Sequence, residues 1–275
     1  MEHEDIERGR VLTRREALAA LGVGGGALAA GRWVLGTGTP LAAQADGIAR
    51  ALPACVAKPE QTEGPFFVDA RLERSDIRSD PSTGTVSEGI PLTLRFNLSQ
   101  ISRGDCSVLP GALIDVWQCD ADGVYSGVED DGAPASARER QFLRGYQHTD
   151  ENGVARFTTI YPGWYRERAV HVHFKVRTEI SGQPYEFTSQ LYFDEALTDE
   201  VHAQAPYAAR GRRPMTNADD RIFRDGGESL MAQVGETEAG YAATFDLGLD
   251  LTDAETGRPD GRSRRRRGSG RAGMG

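Results

Sequence analysis

Short apolar runs, each ended by Gly, Pro, Asp or Asn, recur from about Gly64 to Leu251. That texture leaves the chain few ways to bury a core except as short β-strands joined by turns. Ile90–Leu98 and Ala112–Trp117 alternate roughly between apolar and polar residues, and Gly153–Ile160, His171–Arg177, Tyr185–Phe193 and Tyr241–Leu249 repeat the pattern. Helical periodicity is scarce; Ala135–Leu143 and Thr216–Phe223 read as short helices. No internal repeat and no Gly-rich phosphate loop interrupts the series. The expectation is one all-β domain over 46–255, an antiparallel sandwich or barrel entered through an extended segment at 46–62.

The flanks differ from this body. Thr13-Arg14-Arg15 precedes a mildly apolar, Gly/Ala-rich stretch, and Ala43-Gln44-Ala45 offers a small-residue exit. Residues 1–45 therefore read as a twin-arginine signal that would send the protein out of the cytoplasm, to the periplasm or beyond. The apolar run is too short and too interrupted, by glycines and then Arg32, to span a bilayer. Residues 256–275 read as a solvated Arg/Gly-rich tail without fixed structure. The formal net charge is −9, and because the tail adds roughly +6 the body carries roughly −15. An acidic body argues against nucleic acid, whose binding rests on phosphate neutralisation.

Three cysteines follow the expected cleavage point, and no Cys-x-x-Cys or Cys/His zinc spacing is present. In an oxidising compartment, Cys106 and Cys119, which flank one strand, are the candidate pair, with Cys55 left over. The competing reading makes Cys119 a free, buried small hydrophobe.

Two of the five histidines are His171 and His173. In a strand, residues i and i+2 share a face, so these imidazoles and Lys175 would point one way while Val172, Phe174 and Val176 pack inward. By itself that pair is either half of a metal site or a chance arrangement on an edge strand. Two aromatic-rich segments stand near it in the sequence. One is Tyr161-Pro162-Gly163-Trp164-Tyr165; the other is a strand that ends in an Asp/Gly turn and then presents Tyr125. Alone, such aromatics read equally as plugs over a core corner.

Taken together and in order, these segments resemble the intradiol ring-cleavage dioxygenases. Trp117-Gln118-Cys119-Asp120-Ala121-Asp122-Gly123-Val124-Tyr125-Ser126 is similar to that family's first metal-ligand segment, and Tyr161–Tyr165 followed by Arg168–Phe174 to its second. Thr62-Glu63-Gly64-Pro65-Phe66-Phe67, Phe142-Leu143-Arg144-Gly145 and Ser189-Gln190-Leu191-Tyr192-Phe193 also match, so the resemblance spans roughly residues 53–225.

The resemblance implies a prealbumin- or immunoglobulin-like β-sandwich with Fe(III) held by Tyr125, Tyr165, His171 and His173. Tyr125 and His171 would be equatorial, Tyr165 and His173 axial, and hydroxide the fifth ligand. Arg168 would stabilise negative charge on the substrate, and Gln190 and Tyr192 would line the pocket. Substrates would be a catechol-type ring and dioxygen, with both oxygen atoms inserted to give a muconate-type diacid. Phenolate ligation makes physical sense: a tyrosine, with an ordinary pKa near 10, must lose its proton to bind a metal, and phenolates with hydroxide neutralise a ferric charge. In this scheme Tyr165 also accepts a substrate proton.

Two departures limit the carry-over. The chain has no room before Gly64 for the helical dimerisation segment of the larger catechol-cleaving members, so homo-oligomerisation stays open. The loop between Tyr165 and His171 is short beside the protocatechuate enzymes, so their substrate contacts are not copied. Two rivals compete: a cupin-type iron(II) dioxygenase, for which Glu179 is the nearby carboxylate, and a transthyretin-like binding module that has lost its catalysis.

Overall fold

The computed structural model describes residues 56–102, 105–129, 134–180 and 182–252. Strands β1 (Pro91–Ser102), β2 (Asp105–Val108), β3 (Leu113–Trp117), β4 (Arg144–His148) and β5 (Val154–Ile160) come first. After them come β6 (His171–Ile180), β7 (Gln183–Tyr192), the helix α1 (Glu195–His202), β8 (Gln233–Thr237) and β9 (Gly240–Asp250). One sheet orders β2-β1-β9-β8 with β5 also on β1; the other orders β4-β3-β6-β7. These residues all fall within one unit, Arg50–Gly275. Among them, no helix is long and apolar enough to cross a membrane.

The alternation read from sequence explains the packing. Leu92, Leu94, Phe96 and Leu98 of β1 are buried with Phe245 and Leu247 of β9 and with Val172, Phe174 and Val176 of β6. Phe96 stands at the centre, its ring 5.3 Å from Phe174, 5.9 Å from Phe245 and 6.1 Å from Phe157. Phe96 and Phe174 belong to different sheets, so this contact joins the two layers of an all-β sandwich. Each phenylalanine buried this way contributes roughly 1.5–3 kcal/mol.

Several expectations are corrected. The sandwich is not wholly antiparallel: β1 and β9 pair in parallel, in register Phe96↔Phe245. The helix expected at Ala135–Leu143 is a 3-10 turn over Ala135–Glu139. Beyond it the chain extends, because Gln141 N donates to Asp80 Oδ2 at 2.9 Å and Leu143 N to Ile77 O at 2.7 Å. At Thr216–Phe223 there are turns rather than a helix, with Asp219 and Asp220 carboxylates accepting from the Thr216 and Ile222 amides and so competing with the helical ladder. The α-helix lies instead at Glu195–His202, capped by Asp194, whose side chain accepts from Ala196 N and Leu197 N.

The expected Cys106–Cys119 bridge does not form. Cys106 is disulfide-bonded and Cys119 is a free, buried thiol. Strand β2 carries Cys106 into the first sheet opposite Ile101, whereas Cys119 follows β3 in the second, where its Sγ meets Gly163 O at 3.4 Å. Neighbours in sequence are thus in different layers. Cys55, the signal at 1–45 and the tail at 256–275 lie outside the described residues.

Candidate metal centre

Strand β6 shows the expected division of faces. Val172, Phe174 and Val176 join the core, and His171, His173 and Lys175 project from the opposite side of the sheet, yet are buried there as well. What covers them is a second, smaller cluster of Trp117, Cys119 and Tyr125, with Phe66, Phe67, Val128 and Tyr165 packed against it. Trp117 is the cross-strand partner of His173, and the two rings stack at 5.0 Å with a 5° tilt. Phe66 stacks on Tyr125 at 4.4 Å.

Two turns aim the tyrosines. Asp120 Oδ1 accepts from Asp122 N and Val124 N, each at 2.9 Å, closing the turn that precedes Tyr125. Gly163 N donates to Asp120 O at 3.1 Å, locking the Tyr161–Tyr165 turn against it. The backbones approach so closely that a Cβ on Gly163 would lie 2.4 Å from Asp120 O. Behind Tyr125, buried Arg144 donates through Nε to Ser126 Oγ at 3.0 Å and through Nη2 to Ser126 O.

The donor atoms converge. His171 Nε2 is 3.0 Å from His173 Nε2 and 3.2 Å from Tyr165 Oη. The Tyr125 ring lies 5.5 Å from that of Tyr165 and 6.2 Å from that of His173. Its buried hydroxyl has no hydrogen-bond partner of good geometry, its neighbour being the Tyr165 hydroxyl. His171 Nδ1 is 2.6 Å from Ala169 O, which can only accept, so Nδ1 carries the proton and Nε2 presents its lone pair.

Burial, and then the positive charge of Arg168, hold both imidazoles well below the ordinary histidine pKa, so they are neutral. Burial pushes Tyr165 up to about 12 and Tyr125 higher than its ordinary value as well. Burial outweighs the opposing charge of Arg168 and favours the protonated phenols, and a metal cation among these atoms would reverse that preference. Neutral imidazole nitrogens beside a buried phenol form a donor set suited to such a cation. Among the described residues, no group of three or more His, Cys, Asp or Glu comes together that could hold a metal ion.

Arg168 reaches the same point. Strand parity alone would turn it away from the imidazoles, but Glu167 adopts a left-handed φ of 66° and swings the chain. Arg168 Nη1 lies 3.2 Å from Tyr165 Oη and 3.4 Å from His171 Nε2. Gln190 and Tyr192, expected on the pocket wall, stand behind Arg168 and are fully buried: Arg168 Nη2 donates to Gln190 Oε1. The sequence reading missed Asp220, whose Oδ2 lies 2.9 Å from Arg168 Nε. It also missed Gln61, which accepts from Tyr192 Oη at 2.8 Å. Neither carries a local signal; they reach the site only through folding.

A cavity of about 840 Å³ opens beside the centre, lined by Gly64, Pro65, Phe66, Tyr165, Arg168 and Ile222 among others. Tyr165 borders it, while Tyr125 is wholly enclosed. Glu179, the carboxylate a cupin-like site would need, is exposed near the far end of β6, opposite Pro184.

Comparison with known proteins gives the family. A family model described as Dioxygenase matches residues 62–250. Chlorocatechol 1,2-dioxygenase of Pseudomonas putida is 30% identical over 151 residues, 48% of this chain and 52% of the relative. Catechol 1,2-dioxygenase of Acinetobacter baylyi is 28% identical over 189 residues, 56% of this chain and 57% of the relative. The chain thus spans about half the length of the curated relatives it matches. A solved structure, an intradiol ring-cleavage dioxygenase from Tetranychus urticae, superposes with a TM-score of 0.62 at 28% identity, covering 72% of this chain and 97% of the other. Ordered motifs, a β-sandwich and the match over 62–250 lead to one conclusion: the chain belongs to the intradiol ring-cleavage dioxygenase family.

Proposed function

We propose that this protein is an Fe(III)-dependent intradiol dioxygenase that inserts both atoms of dioxygen into a catechol-type ring and yields a muconate-type diacid. The observation that carries the reading is that His171 Nε2 lies 3.0 Å from His173 Nε2 and 3.2 Å from Tyr165 Oη, beside the buried Tyr125 hydroxyl. Tyr125, Tyr165, His171 and His173 would hold the iron. Bound there, ferric iron would supply Lewis acidity and draw electron density from a chelating catecholate.

The chain's own residues divide the remaining work. Tyr165 borders the cavity, so its Oη is the phenolate placed to take a proton from a catechol hydroxyl, while enclosed Tyr125 stays committed to the site. Arg168 presents its guanidinium at the same atoms and would favour negative charge on the bound substrate. Phe66, Pro65 and Gly64 line the cavity and would offer the ring an apolar face.

Elemental analysis and the visible spectrum test the reading, followed by dioxygen uptake on a panel of catechols. The expected result is one iron per chain and a red-brown colour from tyrosinate-to-iron charge transfer, bleached or shifted by Tyr125→Phe with the fold kept. Colourless protein carrying stoichiometric zinc would overturn it.

Export through the twin-arginine route is proposed on sequence alone, from Arg14-Arg15, the weakly apolar stretch and Ala43-Gln44-Ala45. Changing Arg14 and Arg15 to Lys should strand the precursor in the cytoplasm. Fractionation showing unchanged secretion would remove the proposal.

A further inference from the structure

A closed ring of hydrogen bonds surrounds Arg168 and crosses four separate segments of the chain. Its Nε donates to Asp220 Oδ2 at 2.9 Å, and its Nη2 to Gln190 Oε1. Tyr192 Oη lies 3.2 Å from that same Gln190 oxygen and 2.8 Å from Gln61 Oε1, sharing its proton between them. Gln61 Nε2 then donates to Ile222 O at 2.9 Å, and Ile222 N returns to Asp220 Oδ1 at 2.7 Å. Gln190 Nε2 is occupied by Thr62 O at 3.0 Å. The segment before β1, the loop before β6, strand β7 and the turn at Asp220 are thereby tied to one guanidinium.

Within the ring Asp220 holds a special place. It is 1% exposed, and its Oδ2 accepts both Arg168 Nε and the backbone amide of Ala169, each at 2.9 Å. Ala169 in turn provides the carbonyl that fixes the His171 tautomer. One carboxylate therefore grips the loop just after the left-handed Glu167 and points the remaining guanidinium nitrogens toward Tyr165 Oη and Gln190. The guanidinium's planar fork suits such a grip, since fixing one nitrogen and the neighbouring backbone leaves little freedom to rotate.

We propose that Asp220, at the edge of the cavity, is the positioning residue for Arg168: it hydrogen-bonds none of Tyr125, Tyr165, His171 and His173, and acts on turnover through Arg168, which it holds together with the Ala169 amide. This rests on the function proposed above. Displacing a charged group by about an ångström from its productive place costs up to roughly 100-fold in rate. Loss of the Asp220 charge should accordingly lower kcat by roughly 10- to 100-fold while KM moves little.

The test is a double-mutant cycle on the iron-loaded full chain, with Asp220→Asn, Arg168→Ala and the pair, read as kcat and KM for the best catechol found. If Asp220 acts through Arg168, the substitution costs activity in the wild-type background and nothing more once Arg168 is gone. Losses that multiply, or an Asp220→Asn protein with wild-type kcat, overturn the proposal and leave the dioxygenase reading standing. Should wild-type protein cleave no catechol, the functional reading fails instead, and a second arm still judges the clamp. Deuterium uptake across residues 165–171 should rise in Asp220→Asn relative to wild type, and unchanged uptake overturns it.

Discussion

On the proposed function, His173→Ala is expected to leave a folded protein that retains no iron and cleaves no catechol. The imidazole is fully buried, stacked on Trp117 at 5.0 Å, with its Nε2 3.0 Å from that of His171. Removing an outer-shell partner of a metal ligand costs about 10–100-fold in affinity, so removing a ligand itself should cost more. The fold should survive because the core lies on the other face of β6, where Val172, Phe174 and Val176 are untouched. Elemental analysis, circular dichroism and dioxygen uptake on the same sample separate the outcomes. Wild-type iron content in His173→Ala would mean that the ion sits elsewhere.

Arg168→Ala should behave differently: iron and colour retained, kcat reduced by about 10²–10³-fold. Arg168 places its charge beside Tyr165 Oη and His171 Nε2, where the proposed reaction would take place, and removing one preorganised donor of that kind typically costs this much. In this protein the donor is held by Asp220 and Gln190, so it need not reorganise during the reaction. Full single-turnover and steady-state kinetics would show whether kcat falls while KM holds. Turnover within two- or three-fold of wild type would return Arg168 to a structural role.

Much of the site was legible because its signals are local. Period-two alternation reports strand faces directly, so the placement of His171 and His173 opposite Val172 and Phe174 follows from spacing. The Asp/Gly turn before Tyr125 and the Pro-Gly turn before Tyr165 were legible in the same way. Edge strands such as Gln233–Thr237 escaped notice, since a strand whose residues are mostly exposed shows no apolar alternation. The helix Glu195–His202, although capped by Asp194, spans only eight residues, too few to set up a clear helical period in the sequence.

The sequence by itself determined the all-β class, the inward and outward faces of β6 and the order of the segments that carry Tyr125, Tyr165, His171 and His173, because each depends on residues close together in the chain. Tertiary structure alone decided the rest. The parallel pairing of β1 with β9, the separation of Cys106 from Cys119 into different sheets, and the ring through Gln61, Gln190 and Asp220 all join residues with no periodic relation. Arg168 shows the division most clearly. Strand parity points it away from the imidazoles, and only a left-handed Glu167 and a carboxylate from a turn 52 residues further along bring it back.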